Sequence, residues 1–450
     1  MVVFAILLKI LAFLAALSMF VFPRSYKVGI IFSSYLLFSF VYFPGMNALT
    51  LVAICFFLSE FPYIHSNLKK ISKLRPLNVY ISLCLVLVLF TIVFSPNLHS
   101  PVSLAKYILA EPFGKFFFLF AGFISISGEK SFLKSYKVIF AAMTVVTFFA
   151  VLNLLTQHSI YIDALNGELS HVYDFKSSSR FRVQSTFQNP FDYGFACILF
   201  FIISFYLFLR KRVPLTLAAC ASVFCLLGIF SCGCRTIVLV FVISVVLFLL
   251  LCQDNRVLRL KVLAIMLAFM AVAYIVLPPV HKMVNYTLTV FDKDSAVEGS
   301  SLEARSIQLQ AVLMEINGRF MQGNGYDYFL TDVGWADAGT MDTYNPDLLG
   351  LEGVYLSYLL ERGIIGFLLY LLIVISIFIF VLRGVGNRLS RALGLSVLCS
   401  YVLFSFMTGE LLSYQPAMLL VGSTVALSGK KNIADVSSYN SELRESPQDN

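Results

Sequence analysis

Apolar runs of roughly the length needed to cross a bilayer recur from one end of this 450-residue chain to the other. No other feature constrains the fold as tightly. Backbone N–H and C=O groups find no water in hydrocarbon, so each such run closes its own hydrogen bonds as a helix. The chain is 59% hydrophobic and only 13% charged, against about a quarter charged in soluble domains. The spacing predicts spans near 3–22, 28–43, 47–64, 77–95, 106–127, 138–155, 191–209, 214–230, 236–252, 262–280, 363–382, 392–408 and 416–429. The expected fold is all-α, a polytopic membrane protein with about 12–13 transmembrane helices in one transmembrane domain over 1–431. One large polar loop covers 281–352, and 432–450 reads as a disordered cytoplasmic tail rich in Ser, Glu and Asn. The first run, Val2 to Phe22, lacks a small-residue cleavage pattern and reads as a mature span.

Charge orients these spans. Basic residues cluster in alternate loops: Lys69, Lys70, Lys73 and Arg75; Lys130, Lys134 and Lys137; Arg210, Lys211 and Arg212; Arg256, Arg259 and Lys261; Arg383, Arg388 and Arg391; Lys430 and Lys431. The positive-inside rule puts them in the cytoplasm. The opposite side then receives 96–105, 156–190, 231–235, 281–362 and 409–415. Thirteen full spans leave the N-terminus outside and twelve bring both termini inside; the pattern allows either. The net charge of +8 resides in the short loops and carries no implication of nucleic acid. All nine cysteines lie in or beside spans, so no disulfide staples the large loop, and Cys232 and Cys234 read as small buried thiols. His158, His171 and His281 are singletons, which excludes a metal site of ordinary ligand spacing. There is no Walker or Rossmann pattern, so no nucleotide cofactor or nucleotide-sugar donor is expected.

A chain with short loops elsewhere devotes roughly seventy residues to the loop from His281 to Glu352. That loop carries Arg305 and Gln308 on a helical stretch, the turn Gly323-Asn324-Gly325, and an exit helix opening at Glu352 that runs into Arg362-Gly363-Ile364-Ile365-Gly366. The last two glycines allow close backbone packing. Two other outer loops also hold arginine, which the charge bias disfavours there: Arg180 and Arg182 before a span, and Arg235 after a tight turn. A guanidinium is always charged and grips phosphate oxygens in pairs. Three such loops at one membrane face point to a phosphate or diphosphate pocket, while lipid headgroups or local carboxylates would hold single arginines equally well.

Glu352 is the candidate general base, with Tyr355 three residues on and on the same helical face; helix capping is the plain alternative. Asp327, Asp332, Asp337, Asp342 and Asp347 read chiefly as solvated turn residues. Trp335, the single tryptophan, and Tyr344 suit either packing or a platform for a sugar ring.

These residues resemble the bacterial O-antigen polymerase and O-antigen ligase superfamily over about 180–382. Three stretches carry the likeness: Arg182-Val183-Gln184-Ser185-Thr186-Phe187-Gln188-Asn189-Pro190; Cys234-Arg235-Thr236; and the run Arg305-x-x-Gln308, Gly323-x-Gly325, Glu352-x-x-Tyr355-Leu356-x-x-Leu359-x-x-x-Gly363-x-x-Gly366. Family ligases carry His-Asn where this chain has Glu352-Gly353, which favours a polymerase. The resemblance implies a metal- and cofactor-independent inverting glycosyltransferase of the bacterial inner membrane that joins undecaprenyl-diphosphate-linked repeat units at the periplasmic face. Glu352, Arg235 and Arg305 would be catalytic, and Arg180, Arg182, Gln308, Tyr355 and Trp335 would bind substrate. The implied partners are the lipid-linked oligosaccharide and membrane lipid, and the resemblance allows a chain-length regulator protein. The rivals are an O-antigen ligase acting on lipid A-core and a transporter of lipid-linked sugars. Transporters place ionisable residues within spans; here these are few, chiefly Lys9, Glu111 and Lys115.

Overall fold

The structure is a computed structural model that describes residues 2–44, 46–72, 74–165, 182–252, 275, 285, 302–328, 348, 351, 353–408 and 412–427. The span expected at 262–280, most of the 281–352 loop and the tail at 432–450 lie outside the described residues.

The described chain is almost wholly helical; the strands are the two-residue pair Tyr42–Phe43 and Met46–Asn47. In order the helices are α1 (Val2–Val21), α2 (Arg24–Phe38), α3 (Ala48–Glu60), α4 (Ile64–Ser72), α5 (Arg75–Phe94), α6 (Pro101–Ile108), α7 (Phe118–Ser125), α8 (Glu129–Thr156), α9 (Ile160–Leu165), α10 (Pro190–Leu209), α11 (Leu215–Ser231), α12 (Arg235–Cys252), α13 (Leu302–Glu315), α14 (Val354–Gly384), α15 (Arg388–Met407) and α16 (Tyr414–Leu427). Seven are long and apolar enough to cross a membrane, or eight if the bent pair α6–α7 is one span. α3, α11 and α16 are shorter apolar helices. The protein is a multi-pass, all-α membrane protein.

Side-chain contacts sort the helix ends into two groups. At one, Arg24 and Lys27 of α2 pair with Glu60 at the end of α3 at 2.5 and 2.9 Å. Ser135 of α8 bonds Ser25 O, Arg212 meets Glu129 at 2.7 Å, Tyr206 meets Ser390 at 3.1 Å, and Arg388 donates to Leu251 O at 2.9 Å. This basic end gathers the starts of α2, α8 and α15 and the ends of α3, α10 and α12. At the other end, Thr186 donates to Leu36 O, Val183 N to Ser231 O, and Arg305 to Met407 O. Phe195 of α10 stacks on Phe404 of α15 there, 4.5 Å between centroids, and Phe4 of α1 packs on Tyr161 of α9. For the clusters at 130–137, 210–212 and 383–391 the packing follows the alternation expected from charge, those at 256–261 and 430–431 lie outside the described residues, and α1 begins at the arginine-bearing end.

One expectation needs correction. The span expected at 106–127 is not one straight helix: α6 passes into a π-helical turn, Leu109–Phe116, and α7 leaves at 43°. Pro112 supplies no backbone N–H and widens the turn, so the Phe117 amide reaches back to Pro112 O at 2.9 Å. The exit helix, expected from Glu352, is described from Val354, where α14 begins behind Gly353 at φ 106°; Glu352 itself lies outside the described residues. At about 1.5 Å per residue, α14 is about 46 Å long, well beyond a hydrocarbon core of about 30 Å. It is broken at Gly363 (φ 61°, ψ −167°), which leaves Val354–Arg362 as a separate short helix at the arginine end.

Candidate functional site

The segment before α10 is a wedge. Ser185 donates to Val146 O of α8 and Thr186 to Leu36 O of α2, each at 2.6 Å, and Phe187 is fully buried. Asn189 caps α10: its Oδ1 accepts from the Asp192 amide at 2.7 Å and its Nδ2 donates to the Asp192 carboxylate at 3.0 Å. The Ser-Thr-Phe-x-Asn-Pro stretch thus has a packing reason for each of its polar residues. Arg182 leads into this wedge beside the α11–α12 turn. Gly233 makes that turn at φ 65°, and a Cβ there would stand 3.3 Å from Arg182 Cγ. Two residues on, Arg235 opens α12 with only 8% of its surface exposed. A guanidinium at a helix N-terminus concentrates positive potential at one spot.

Arg305 lies on α13, as expected, and its Nη2 donates to Met407 O at 2.9 Å. Met407 ends α15, so the guanidinium satisfies a carbonyl without an intrahelical partner. Gln308, one turn on, is buried. Tyr355 sits against Phe406 and Tyr370, 5.9 and 5.6 Å between centroids, and a Cβ on Gly353 would lie 3.3 Å from Phe406 O. Arg305 and Tyr355 therefore both lie against the end of α15. α12 and α15 pack along their length, with Ser244 and Ser400 hydroxyls 2.6 Å apart, which brings the Arg235 end of one level with the Met407 end of the other. Arg182, Arg235, Arg305, Gln308 and Tyr355 share one end of the bundle. Arg180, Trp335 and Glu352 lie outside the described residues.

A second constellation stands behind this face, and it joins residues that sequence reasoning named apart or not at all. Arg362, at the break in α14, donates to Glu111 Oε1 at 2.9 Å. Lys115 lies 4.0 Å from the same oxygen and donates to the Tyr358 hydroxyl at 2.5 Å. All three charges are 5% exposed or less. Aromatic faces enclose them: Lys115 Nζ is 4.6 Å from the Tyr358 ring and 5.6 Å from that of Tyr414, and the Arg362 guanidinium stands 4.3 Å over Tyr358. Two irregular backbones hold this centre. Carbonyls freed by the π turn are taken by Tyr80 (to Phe116 O, 2.9 Å) and Gln415 (to Gly114 O, 2.5 Å). The broken ends of α14 are taken by the glycine turn of the large loop. Asn324 N and Gly325 N donate to Leu360 O and Glu361 O, while Ile364 N and Ile365 N donate to Phe320 O and Met321 O, at 2.8–3.3 Å. The turn thus pairs groups that a helix break leaves open.

Tyr326 closes the centre from the loop side. Its ring lies 4.7 Å from Tyr107 and 5.6 Å from the Arg362 guanidinium. Burial, with the Glu111 and Asp327 carboxylates nearby, pushes its phenol up, so it stays a neutral hydroxyl. Tyrosines connect the centre to the arginine face: Tyr358 stacks on Tyr370 at 4.1 Å, and Tyr370 packs on Tyr355 and bonds the Tyr401 hydroxyl at 2.5 Å. The advance signals for this centre are the ionisable pair Glu111 and Lys115 inside an apolar run and Arg362 at the start of a later span; nothing in the sequence joins them.

Among the described residues no group of three His, Cys, Asp or Glu could hold a metal ion. Cys232 and Cys234 are buried thiols directed at the carbonyls of Ile229 and Cys232, as expected of packing residues. No protein-family model matches this sequence, and no curated protein matches it.

Proposed function

We propose that this protein is a polymerase of O-antigen or a related surface polysaccharide, an inverting glycosyltransferase acting at the periplasmic face of the bacterial inner membrane. The observation that carries this reading is the placement of Arg182, Arg235 and Arg305, from three distant parts of the chain, at one end of the bundle opposite the basic loops. Basic loops face the cytoplasm, so that end faces outward. A diphosphate leaving group carries the charge such a face attracts. In the proposed reaction an acceptor sugar hydroxyl attacks the anomeric carbon of the donor glycan and the bond from that carbon to the diphosphate oxygen breaks. The electron pair leaves with the lipid diphosphate, where guanidinium groups neutralise it. The hydroxyl proton passes to Glu352, the carboxylate two residues before α14 in sequence.

One observation favours a second reading. The buried charges Glu111, Lys115 and Arg362 on two broken helices are the arrangement that transporters use for bound ions and substrates. A reaction in detergent with synthetic undecaprenyl-diphosphate-linked repeat units separates the two, because a pure transporter forms no glycosidic bond and detergent leaves it no compartment to fill. Wild type should polymerise while Arg235→Ala and Glu352→Gln lose most of the rate. Normal polymerisation by both variants would end this assignment.

A further inference from the structure

Three side chains at the ionic centre keep hydrogen-bonding atoms that nothing among the described residues uses. Glu111 commits Oε1 to Arg362 while its Oε2 has no partner. Arg362 uses Nη2 while Nε has none. Tyr107 Oη, one turn before Glu111, has none either; the neighbouring Thr91 hydroxyl donates to Leu87 O. Glu111 and Arg362 are each at least nine-tenths buried, and so is Tyr107. As a structural device this is poor, since well-packed apolar residues hold helices together as well as a buried ion pair does. Orphaned buried polar atoms make it poorer still. Irregular backbone on both sides, the π turn and the Gly363 break, is also the kind of feature that gathers at binding sites.

The unused atoms define the ligand. One accepts, one donates, and one does either, which complements a pair of neighbouring sugar hydroxyls. A phosphate suits less well, because Arg362 and Lys115 already share a carboxylate. Tyrosine rings supply the flat faces on which a sugar ring packs. The Tyr326 ring packs on Tyr107 and Arg362, while its backbone is held by Ser95 Oγ on its amide at 2.9 Å and Asn97 Nδ2 on its carbonyl at 3.3 Å. We propose that this centre binds a sugar of the lipid-linked glycan when the Tyr326 ring swings aside. The inference rests on the proposed function for the identity of that glycan, and the sugar can belong to the donor chain or to the acceptor unit.

Tyr107→Phe is the decisive variant, since it removes an oxygen whose polar neighbour Thr91 keeps its own bond to Leu87 O, and it leaves the ring. In the detergent reaction, with preformed chains as donor and single repeat units as acceptor, Tyr107→Phe should raise KM for one substrate by about tenfold and leave kcat within about twofold. The substrate whose KM moves is the one that places its sugar here. Glu111→Gln should move the same KM further, and Tyr107→Phe decides the matter if that variant fails to fold. In parallel, the lipid-free repeat-unit oligosaccharide from the producing cell's own polysaccharide, titrated calorimetrically in the same detergent, should bind wild type and not Tyr107→Phe. Polymerisation with wild-type KM for both substrates in folded Tyr107→Phe overturns the sugar site and leaves the polymerase standing. Oligosaccharide binding by a wild type that makes no polymer does the reverse.

Discussion

Gly323 and Gly363 meet backbone to backbone across the large loop and the break in α14: a Cβ on Gly363 would lie 2.6 Å from the Gly323 amide nitrogen. A Cβ on Gly323 would in turn lie 2.5 Å from Arg362 N. Both glycines have positive φ, 73° and 61°. Neither position can yield, because the opposing atoms are backbone held by the Asn324–Leu360 and Ile364–Phe320 hydrogen bonds. Gly323→Ala or Gly363→Ala should therefore destabilise the protein by about 1–3 kcal/mol from backbone strain alone, with the clash adding to it. The same change at Gly318 (φ 88°), where an added Cβ meets nothing, should cost less. Thermal unfolding of the three variants in one detergent checks the order.

The polar wedge before α10 makes a contrasting forecast. Asn189→Ala removes the cap of α10 and the Nδ2 donor to Asp192. It should cost about 0.5–2 kcal/mol in stability while the kcat of the folded fraction stays near wild type. A Tm that falls with unchanged turnover is the expected pair of readings. Turnover lost at unchanged Tm would move Asn189 into the chemistry.

Transfer from water to lipid is a property of each segment alone, so the spans were legible in local sequence: α5, α10, α12 and α15 start within four residues of expectation. α8 begins at Glu129 rather than 138 because its first turns, though charged, continue as helix and pair Glu129 with Arg210 and Arg212. The arginines could be assigned to an end from the charge alternation, which summarises the same physics. The ionic centre was not legible, since Glu111 and Arg362 stand 251 residues apart and meet only through tertiary packing. Gly323 and Gly363 were each visible, one as a turn and one as a close-packing residue, but no local signal says that they touch.

Glu111 is the counter-charge for two buried cations. Glu111→Leu would leave Arg362 without its 2.9 Å partner and Lys115 without its nearest carboxylate. Stranding a buried charge in this way costs about 3–5 kcal/mol. Glu111→Gln should cost less, because the amide oxygen still accepts from Arg362 Nη2. Detergent-solubilised yield and Tm should rank wild type above Glu111→Gln and Glu111→Leu last.

Orientation is open to a chemical test. Asn317 is exposed in the turn after α13, at the arginine end, and Lys211 is exposed beyond α10, at the basic end. A membrane-impermeant thiol reagent on cells with a permeable outer layer should label Asn317→Cys directly and Lys211→Cys only after the inner membrane is opened. The opposite pattern would invert the topology and remove the arginine face from the periplasm.

Arg235 and Arg305 should fail in different ways. Arg305 donates to the last carbonyl of α15, so Arg305→Ala leaves Met407 O short of a partner and should lower both Tm and turnover. Arg305→Lys keeps a charged donor and should recover more of the Tm than of the turnover, since an ammonium lacks the paired geometry of a guanidinium. Arg235 opens α12, where its charge adds to the helix dipole instead of offsetting it. Removing it relieves that repulsion, so Arg235→Ala should lower Tm less than Arg305→Ala does. Turnover should nonetheless fall by roughly 10²–10³-fold, as when one electrostatic donor to a transition state is lost. A Tm and a turnover number for each variant, from one preparation, separate the two roles. If Arg235→Ala loses stability and activity in step, its guanidinium is a packing element and the diphosphate must be held elsewhere.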